Sequence, residues 1–215
     1  MPISYQKDLI ILVADKNMEH TLRGLLSRPP ALRIREITFD LYVHPNRDGG
    51  CLSQGAEFLR PFVRLYSHAL VLFDHEGCGR EGDDSSVLER TLETKLSVSG
   101  WEERANVVII HPELEVWVWS DSPHVEFVLG WQGRNPDLRT WLRERRCELD
   151  ENGKPLSPKE AMDDALRVVN KAHSSALFNK LAQSVSFERC TDPAFVRLKN
   201  ILRSWFPASS AELKI

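Results

Sequence analysis

The feature that most constrains this chain is an apolar run that ends abruptly in acidic residues and glycines. Residues 69–73 are all apolar, and Asp74, Glu76 and the glycine-rich segment 77–79 follow them. A short apolar run with such a boundary indicates a buried strand, and ligands bind at the carboxyl ends of strands in open α/β sheets. If the strand continues, the spacing of Asp74 and Glu76 puts both carboxylates on one side. This segment can be interpreted in two ways, as a site for a hard divalent cation or as an ordinary exit from strand to loop.

Size and charge fit a globular protein without an overall affinity for nucleic acid. The chain has 215 residues and a net charge of -3, which allows one substantial core but gives no basic field over the whole molecule. Four arginines crowd together between residues 139 and 146. This run is typical of a solvated helix face, and a groove for nucleic acid is the second interpretation.

The cysteines and the hydropathy pattern predict the compartment. The four cysteines stand apart, at Cys51, Cys78, Cys147 and Cys190, so a zinc knuckle or a redox motif is not expected. Neither a signal peptide nor an apolar stretch of membrane-spanning length is evident. We therefore expect a cytoplasmic protein with reduced thiols that does not enter a membrane.

Strand-like and helical patterns alternate along the first half of the chain. The strand-like runs are residues 9–14, 34–43, 69–73 and 106–110. This alternation predicts an α/β fold with a largely parallel central sheet flanked by helices, in which the run 34–43 lies nearer the edge of the sheet. Residues 46–50 are expected to form a loop, and the β-prone run 114–119 would place Glu115 on a strand.

The second half of the chain carries helix-start signals. A proline follows a polar residue at Ser122 and at Asp192, and residues 157–160 form a capping box. The last helix should bury its apolar side against the body of the protein, namely Phe195, Leu198, Ile201, Leu202 and Trp205. We therefore predict an α/β core over residues 1–150 and a C-terminal helical extension, residues 151–215, packed on that core.

Acidic residues stand at three predicted strand ends or beside them. They are Asp15, the pair Asp74 and Glu76, and the pair Glu113 and Glu115. Carboxylates around one or two Mg²⁺ ions can polarise a phosphodiester and activate water, and without a cation their mutual repulsion should raise their pKa values. Each acid also has a structural interpretation. In that interpretation Asp15 is simply the cap of the first helix, and Glu115 is a buried acid with a packing role.

Two histidines next to these acids are further candidates. His75 and His111 could act as ligands or proton carriers. Their spacing matches none of the short metal-binding motifs, so the sequence favours ordinary structural positions for both.

Three segments, taken in order, resemble Toprim-like proteins encoded in bacterial anti-phage defence islands, in particular a small member of the methylation-associated defence systems. The acid after the first strand is Asp15. The D-x-D-type motif is matched by residues 74–76, and the P-x-x-E-x-W-x-x-x-D-like segment by residues 112–121. The run 190–195 is similar to the family's closing helix. Two positions depart from the pattern. The Toprim glutamate would fall on Ala14 or Asp15, and the second carboxylate of the D-x-D-type motif is Glu76 and not an aspartate.

The resemblance implies a Toprim-like fold and a Mg²⁺-dependent or Mn²⁺-dependent nuclease acting on DNA or RNA with other proteins of a defence operon. It implies that Asp74 and Glu76 hold the metal and that Asp15 and Glu115 are the catalytic acids. Asp15 would be the base or a further ligand. Glu115 would be a third acid beside the site.

Two other functions remain open. The lack of a clear glutamate near Ala14 favours a catalytically inactive Toprim-like module used for assembly or sensing. A nucleotide-binding domain whose loop 77–79 cradles a phosphate is the third possibility, although that loop is neither GxxxxGK[ST] nor GxGxxG.

Overall fold

One parallel sheet forms the centre of the computed structural model, which describes residues 4–120 and 122–208. Its strands are β1 (Lys7–Val13), β2 (Phe39–Val43), β3 (Tyr66–Asp74) and β4 (Ala105–Ile110). The order is β2-β1-β3-β4, and every neighbouring pair is parallel. The central strands β1 and β3 are continuous apolar runs because helices cover both faces of a parallel sheet. The predicted α/β fold with its strands 9–14 and 69–73 in one sheet is thus confirmed, and it is compatible with a Toprim-like architecture.

Nine α-helices surround the sheet in the described residues. They are α1 (Lys16–Leu26), α2 (Pro29–Leu32), α3 (Arg47–Leu59), α4 (Ser85–Leu96), α5 (Pro123–Leu129), α6 (Leu138–Glu144), α7 (Pro158–Val168), α8 (Ser175–Ser184) and α9 (Pro193–Trp205). The predicted helix starts at residues 122–123, 157–158 and 192–193 are confirmed. None of these helices has the length and apolarity needed to cross a membrane.

The C-terminal helices cover surfaces of the sheet layer. Helix α8 lies against α1, where a Cβ atom on Gly24 would come within 2.7 Å of the Ala182 Cβ. Helix α9 packs on β4, and its apolar side is buried as predicted, with Trp205 half-buried. The extension therefore packs on the core, while a boundary at residue 150 remains a prediction.

Three local predictions were wrong. The strand predicted over 34–43 is limited to Phe39–Val43, although it does lie at the sheet edge. The segment 46–50 is not a loop, since α3 begins at Arg47. Gly50 is needed because the helix starts close to the end of β2: a Cβ on Gly50 would lie 2.1 Å from the His44 Nδ1.

The third error concerns the run 114–119, which begins with a 3₁₀ helix, Leu114–Trp117, and contains no strand. The aromatic residues that favour a strand are buried between layers instead. The Trp117 Nε1–H donates to the Asp192 carboxylate and the Trp119 Nε1–H to the Pro158 carbonyl, both at 2.9 Å. Tertiary packing has overridden local β-propensity. The acid that ends the P-x-x-E-type segment, Asp121, lies outside the described residues.

Candidate functional site

The carboxyl ends of the parallel strands open into a cleft of about 700 Å³, which we call the acidic cleft. Asp15 follows β1, Asp74 ends β3, and both line this cleft together with Glu76. Because parallel strands end at the same edge of a sheet, residues far apart in sequence meet there. The other charged residues that line the cleft come from the starts of α3 and α7 and the segment before the 3₁₀ helix: Arg47, Asp48, Glu113, Lys159 and Glu160.

Asp74 has the most unusual environment of these acids. Its Oδ1 atom is shielded from solvent and has no hydrogen-bond partner in the described part of the chain. Burial, and then the nearby carboxylates, raise the pKa of Asp74 well above its usual value; those carboxylates are Asp48, Glu115, Asp15 and Glu113. A buried polar atom without a partner is costly, and the described residues supply no donor to this one.

Asp48 is a site residue that the sequence analysis missed. Its Oδ1 accepts a hydrogen bond from the Asp74 backbone N–H at 2.9 Å. Burial, and then the nearby Asp15, raise the pKa of the Asp48 carboxyl, although backbone hydrogen bonds oppose the shift. The available signal was an acid that follows the edge strand at the same end of the sheet. The sequence pattern predicts a loop there, and a loop does not fix the direction of an acidic side chain, whereas the first turn of α3 does.

Asp15 has a structural role as well as a position in the cleft. It is the N-cap of α1, and its Oδ1 accepts a hydrogen bond from the Met18 N–H at 2.9 Å. The preceding residue, Ala14, is buried and carries no functional group. The Toprim glutamate is expected at Ala14 or Asp15. Ala14 therefore provides no acid–base group, and Asp15 is a helix cap.

Glu76 reaches the cleft from a turn rather than from the strand. Strand β3 ends at Asp74, and Glu76 is exposed in the segment that follows. Gly77 has a φ of 85°, which favours glycine. The N–H groups of Gly77 and Gly79 both donate to the Glu81 carboxylate, at 3.0 and 2.9 Å. This side chain occupies the amides that a phosphate would need, which argues against a nucleotide cradle in this loop.

Glu115 lies behind the wall of the acidic cleft. It is 4% exposed and belongs to the 3₁₀ helix, not to a strand. Burial, and then Glu113, raise the pKa of Glu115 to about 7. Glu113 itself lines the cleft and has a structural function, because its Oε1 accepts the Lys159 N–H at 3.1 Å. It thereby caps the first turn of α7, where Ser157 makes no side-chain cap.

The two histidines form a pair outside the acidic cleft. Their Nδ1 atoms are 3.1 Å apart, and the Nε2 of His75 lies 2.9 Å from the Asp83 carbonyl oxygen. Because a carbonyl only accepts, Nε2 of His75 carries the hydrogen. Of the two, His111 borders a different groove.

The crowded arginines do not all form a solvated face. Arg139 donates to the carbonyl oxygens of Gly153, Trp119 and Ser120, so it joins α6 to the 3₁₀ region. Arg145 lies over the Trp141 ring at 5.0 Å and is exposed.

The donor atoms of the acidic cleft fit a hard cation. They are carboxylate oxygens, the ligands that Mg²⁺ prefers, and Mg²⁺ commonly keeps several waters and binds through one or two carboxylates. Within residues 4–120 and 122–208 no group of three or more acidic, histidine or cysteine side chains forms a ready-made metal cage. The unpartnered Oδ1 of Asp74 is one of the carboxylate oxygens of this cleft.

Fold and cleft together define a class: an α/β protein with an acid-lined cleft at the carboxyl edge of an all-parallel sheet. A scan against protein-family models found no match, and searches of curated proteins and of solved structures found no similar protein.

Proposed function

We propose that this chain is a divalent-cation-dependent nuclease that acts as a cytoplasmic component of a bacterial anti-phage defence system. One observation carries the proposal: the Asp74 Oδ1 is buried, unpartnered and set at a cleft that gathers further carboxylates. Burial, and then repulsion from nearby acids, raises the pKa values of Asp74 and Asp48, and a bound cation would favour their ionised forms. The defence context rests on the sequence resemblance alone.

Asp74 and Glu76 would hold Mg²⁺ or Mn²⁺, with waters as the remaining ligands. When bound, such an ion supplies Lewis-acid polarisation of a phosphoryl oxygen. Asp15 and Glu115 are the acids available as proton acceptors. Arg47 and Lys159 line the same cleft, where their charges would attract the phosphates of a nucleic-acid strand.

Metal binding can be tested without any assumption about cleavage. An ion that binds only the folded state at about 100 times its Kd stabilises it by roughly 2.7 kcal/mol. For a chain of this length we expect the melting temperature to rise by roughly 5–10 °C. The same titration with Asp74→Asn should give no rise, because the substitution removes the charge and keeps the shape.

The control for this titration is Asp164→Asn. Asp164 pairs with Arg167 on α7 and does not line the acidic cleft, so its variant should respond to metal as the wild type does. Equal responses of wild type and Asp74→Asn would contradict the metal site.

Cleavage needs its own assay. The purified protein should nick labelled DNA or RNA in the presence of Mn²⁺, and Asp74→Asn should not. Comparison of single-stranded and double-stranded forms of both nucleic acids identifies the substrate. Co-purification with the products of neighbouring genes, and phage plating with and without the intact operon, test the defence context.

A catalytically inactive module for assembly or sensing is the second candidate. The observation that favours it is the use of Asp15 as a helix cap next to the apolar Ala14. Metal-dependent stabilisation without cleavage of any of these nucleic acids would favour this function over the nuclease.

A further inference from the structure

A groove in the C-terminal half of the chain gathers cationic side chains that the proposed metal site does not use. Its volume is about 470 Å³, and we call it the basic groove. The charged residues that line it in the described part of the chain are all cationic: Arg139, Arg143, Lys154 and Arg189. This excess is local, because the net charge of the whole chain is -3. A groove walled by one sign of charge attracts ligands of the opposite sign.

Two of these cations lie at the surface, where a ligand can reach them. Arg143 is exposed on α6, and the groups to which it donates are neutral, the backbone carbonyl oxygen of Arg139 and the hydroxyl of Thr140. Arg189 is exposed in the segment between α8 and α9. Both guanidinium groups can therefore donate hydrogen bonds to an anion that enters the groove.

The other two cations form a fixed wall. Arg139 donates to three backbone carbonyl oxygens of its neighbours. The Lys154 Nζ lies 3.9 Å from the Asp192 Oδ2, which offsets part of its charge. Both side chains are held in place, so Arg143 and Arg189 are the groups that would adjust to a ligand.

One stretch of chain, residues 152–160, runs from the basic groove to the acidic cleft. Residues 152–154 line the basic groove, residues 154–156 line a middle groove of about 550 Å³, and residues 156–160 line the acidic cleft. Residues 152–157 precede α7, and six residues of extended chain reach at most about 20 Å. The two charged sites are therefore neighbours, within the reach of a short stretch of nucleic acid.

The middle groove differs in chemistry from the sites on either side of it. Its wall is mostly apolar, and Leu156, which also lines the acidic cleft, is 54% exposed. Its two acids, Asp150 and Asp192, accept backbone N–H groups in the turn 150–154 and at the start of α9. These acids would repel phosphates, whereas the bases of an unpaired strand can pack on the apolar wall. A duplex keeps its bases inside, so this surface favours a single strand.

We propose that the basic groove binds the backbone phosphates of a single-stranded nucleic acid that continues into the acidic cleft. Arg143 and Arg189 hold phosphates at one end of the bound segment, and its bases lie across Leu156. At the other end, Arg47 and Lys159 line the cleft that receives the strand. The inference rests on the proposed nuclease function for the identity of the polyanion. It narrows the substrate class to unpaired strands.

Binding is measured without metal, so that it does not depend on cleavage. The probe is a labelled single-stranded DNA of about 12 nucleotides, titrated in EDTA at several salt concentrations and followed by fluorescence anisotropy. Arg143→Gln should weaken binding about fivefold. It should also reduce the slope of log K against log salt by about 0.7, the value for one phosphate contact of a single strand. Arg189→Gln should have the same two effects.

Arg146→Gln is the matched control for the loss of one charge. Arg146 is exposed close to Arg143 in sequence but is not among the residues that line the basic groove, so its variant should bind as the wild type does. Leu156→Ala should weaken binding about threefold with an unchanged salt slope, since it removes apolar contact and no charge. All four substituted side chains are exposed, so each variant should keep the wild-type melting temperature.

The outcomes separate this proposal from the nuclease. Equal affinities of wild type, Arg143→Gln and Arg189→Gln overturn the basic groove as a binding site, and a duplex that binds as tightly as the single strand overturns the choice of an unpaired strand. A wild type that binds the strand through Arg143 but cleaves nothing in Mn²⁺ overturns the nuclease alone. A wild type that cleaves, with the same Kd in Arg143→Gln and Arg146→Gln, overturns the basic groove alone.

Discussion

The raised pKa of the buried Glu115 carboxyl makes the stability of the fold depend on pH. Its pKa rises from 4.5 to about 7 because it is buried, so the folded state holds this proton more tightly than the unfolded chain does. Stability from this group is complete below pH 4.5 and is lost as pH rises through 7. A shift of this size corresponds to roughly 3 kcal/mol.

Glu115→Gln should therefore lose this part of the pH dependence. We expect the free energy of unfolding by urea, measured at pH 5 and at pH 8, to fall by up to about 3 kcal/mol more in the wild type than in the variant. Glu148→Gln, at an exposed position, should behave as the wild type. Parallel profiles for wild type and Glu115→Gln would show that folding does not raise the pKa of Glu115.

At this scale the sequence predicted the site in part. Asp15, Asp74 and Glu76 meet in one cleft, which follows from the shared edge of parallel strands and needs no knowledge of side-chain contacts. Asp48 could not be placed, because the sequence does not show that Gly50 fits against His44 and lets α3 start directly after β2. The prediction of a strand at Glu115 was wrong because it rests on local β-propensity, and local propensity does not show that Trp117 packs against another layer.

Close packing of two helices is the main feature at the scale of elements. A Cβ on Gly24 would lie 2.7 Å both from the Ala182 Cβ and from the Asn179 carbonyl oxygen. Gly24→Ala should destabilise the fold by roughly 1–3 kcal/mol through overpacking, although alanine is intrinsically the better helix former. The measurement is the free energy of unfolding by urea.

Gly55 provides the matched control. It lies inside α3, and an added Cβ would meet its nearest neighbour, the Leu12 Cδ2, at an ordinary 3.6 Å. Gly55→Ala should be neutral or stabilising by up to about 1 kcal/mol. Equal effects of the two substitutions would contradict a close contact between α1 and α8.

Helix α9 anchors the C-terminal part through aromatic contacts. Phe195 is 3% exposed and lies 5.1 Å from the Trp117 ring and 5.9 Å from the Phe187 ring. Phe195→Ala should cost roughly 3–5 kcal/mol of folding free energy. The neighbouring Val196→Ala, on the exposed side of the same helix, should change it by less than about 0.5 kcal/mol.

The elements themselves were predicted with differing success for a physical reason. Continuous apolar runs identify β1 and β3 because a central parallel strand is buried on both faces. Proline after a polar residue identifies the starts of α5, α7 and α9 because the missing N–H is not needed there. The edge strand β2 is only half-buried, so its apolar pattern did not locate its first residue.

The whole molecule depends on contacts between its two ends. Helix α8 covers α1, and α9 packs on β4. A chain cut after residue 150 should therefore expose the apolar residues Leu22 and Leu25 of α1, which are buried in the full-length protein.

We expect residues 1–150 alone to unfold without a cooperative transition, while the full chain melts in one. Thermal unfolding followed by near-ultraviolet circular dichroism distinguishes the two. A sharp transition in the shortened chain would instead support an independent core domain.

The packing of α8 on α1 also has a consequence for synthesis on the ribosome. Helix α1 is complete at residue 26, but the helix that shelters it ends at residue 184. At about 5–20 residues per second, the apolar side of α1 waits on the order of ten seconds for its cover. The nascent chain therefore passes through a period in which its first helix is exposed, and a chaperone that binds near the ribosomal exit would act in this interval.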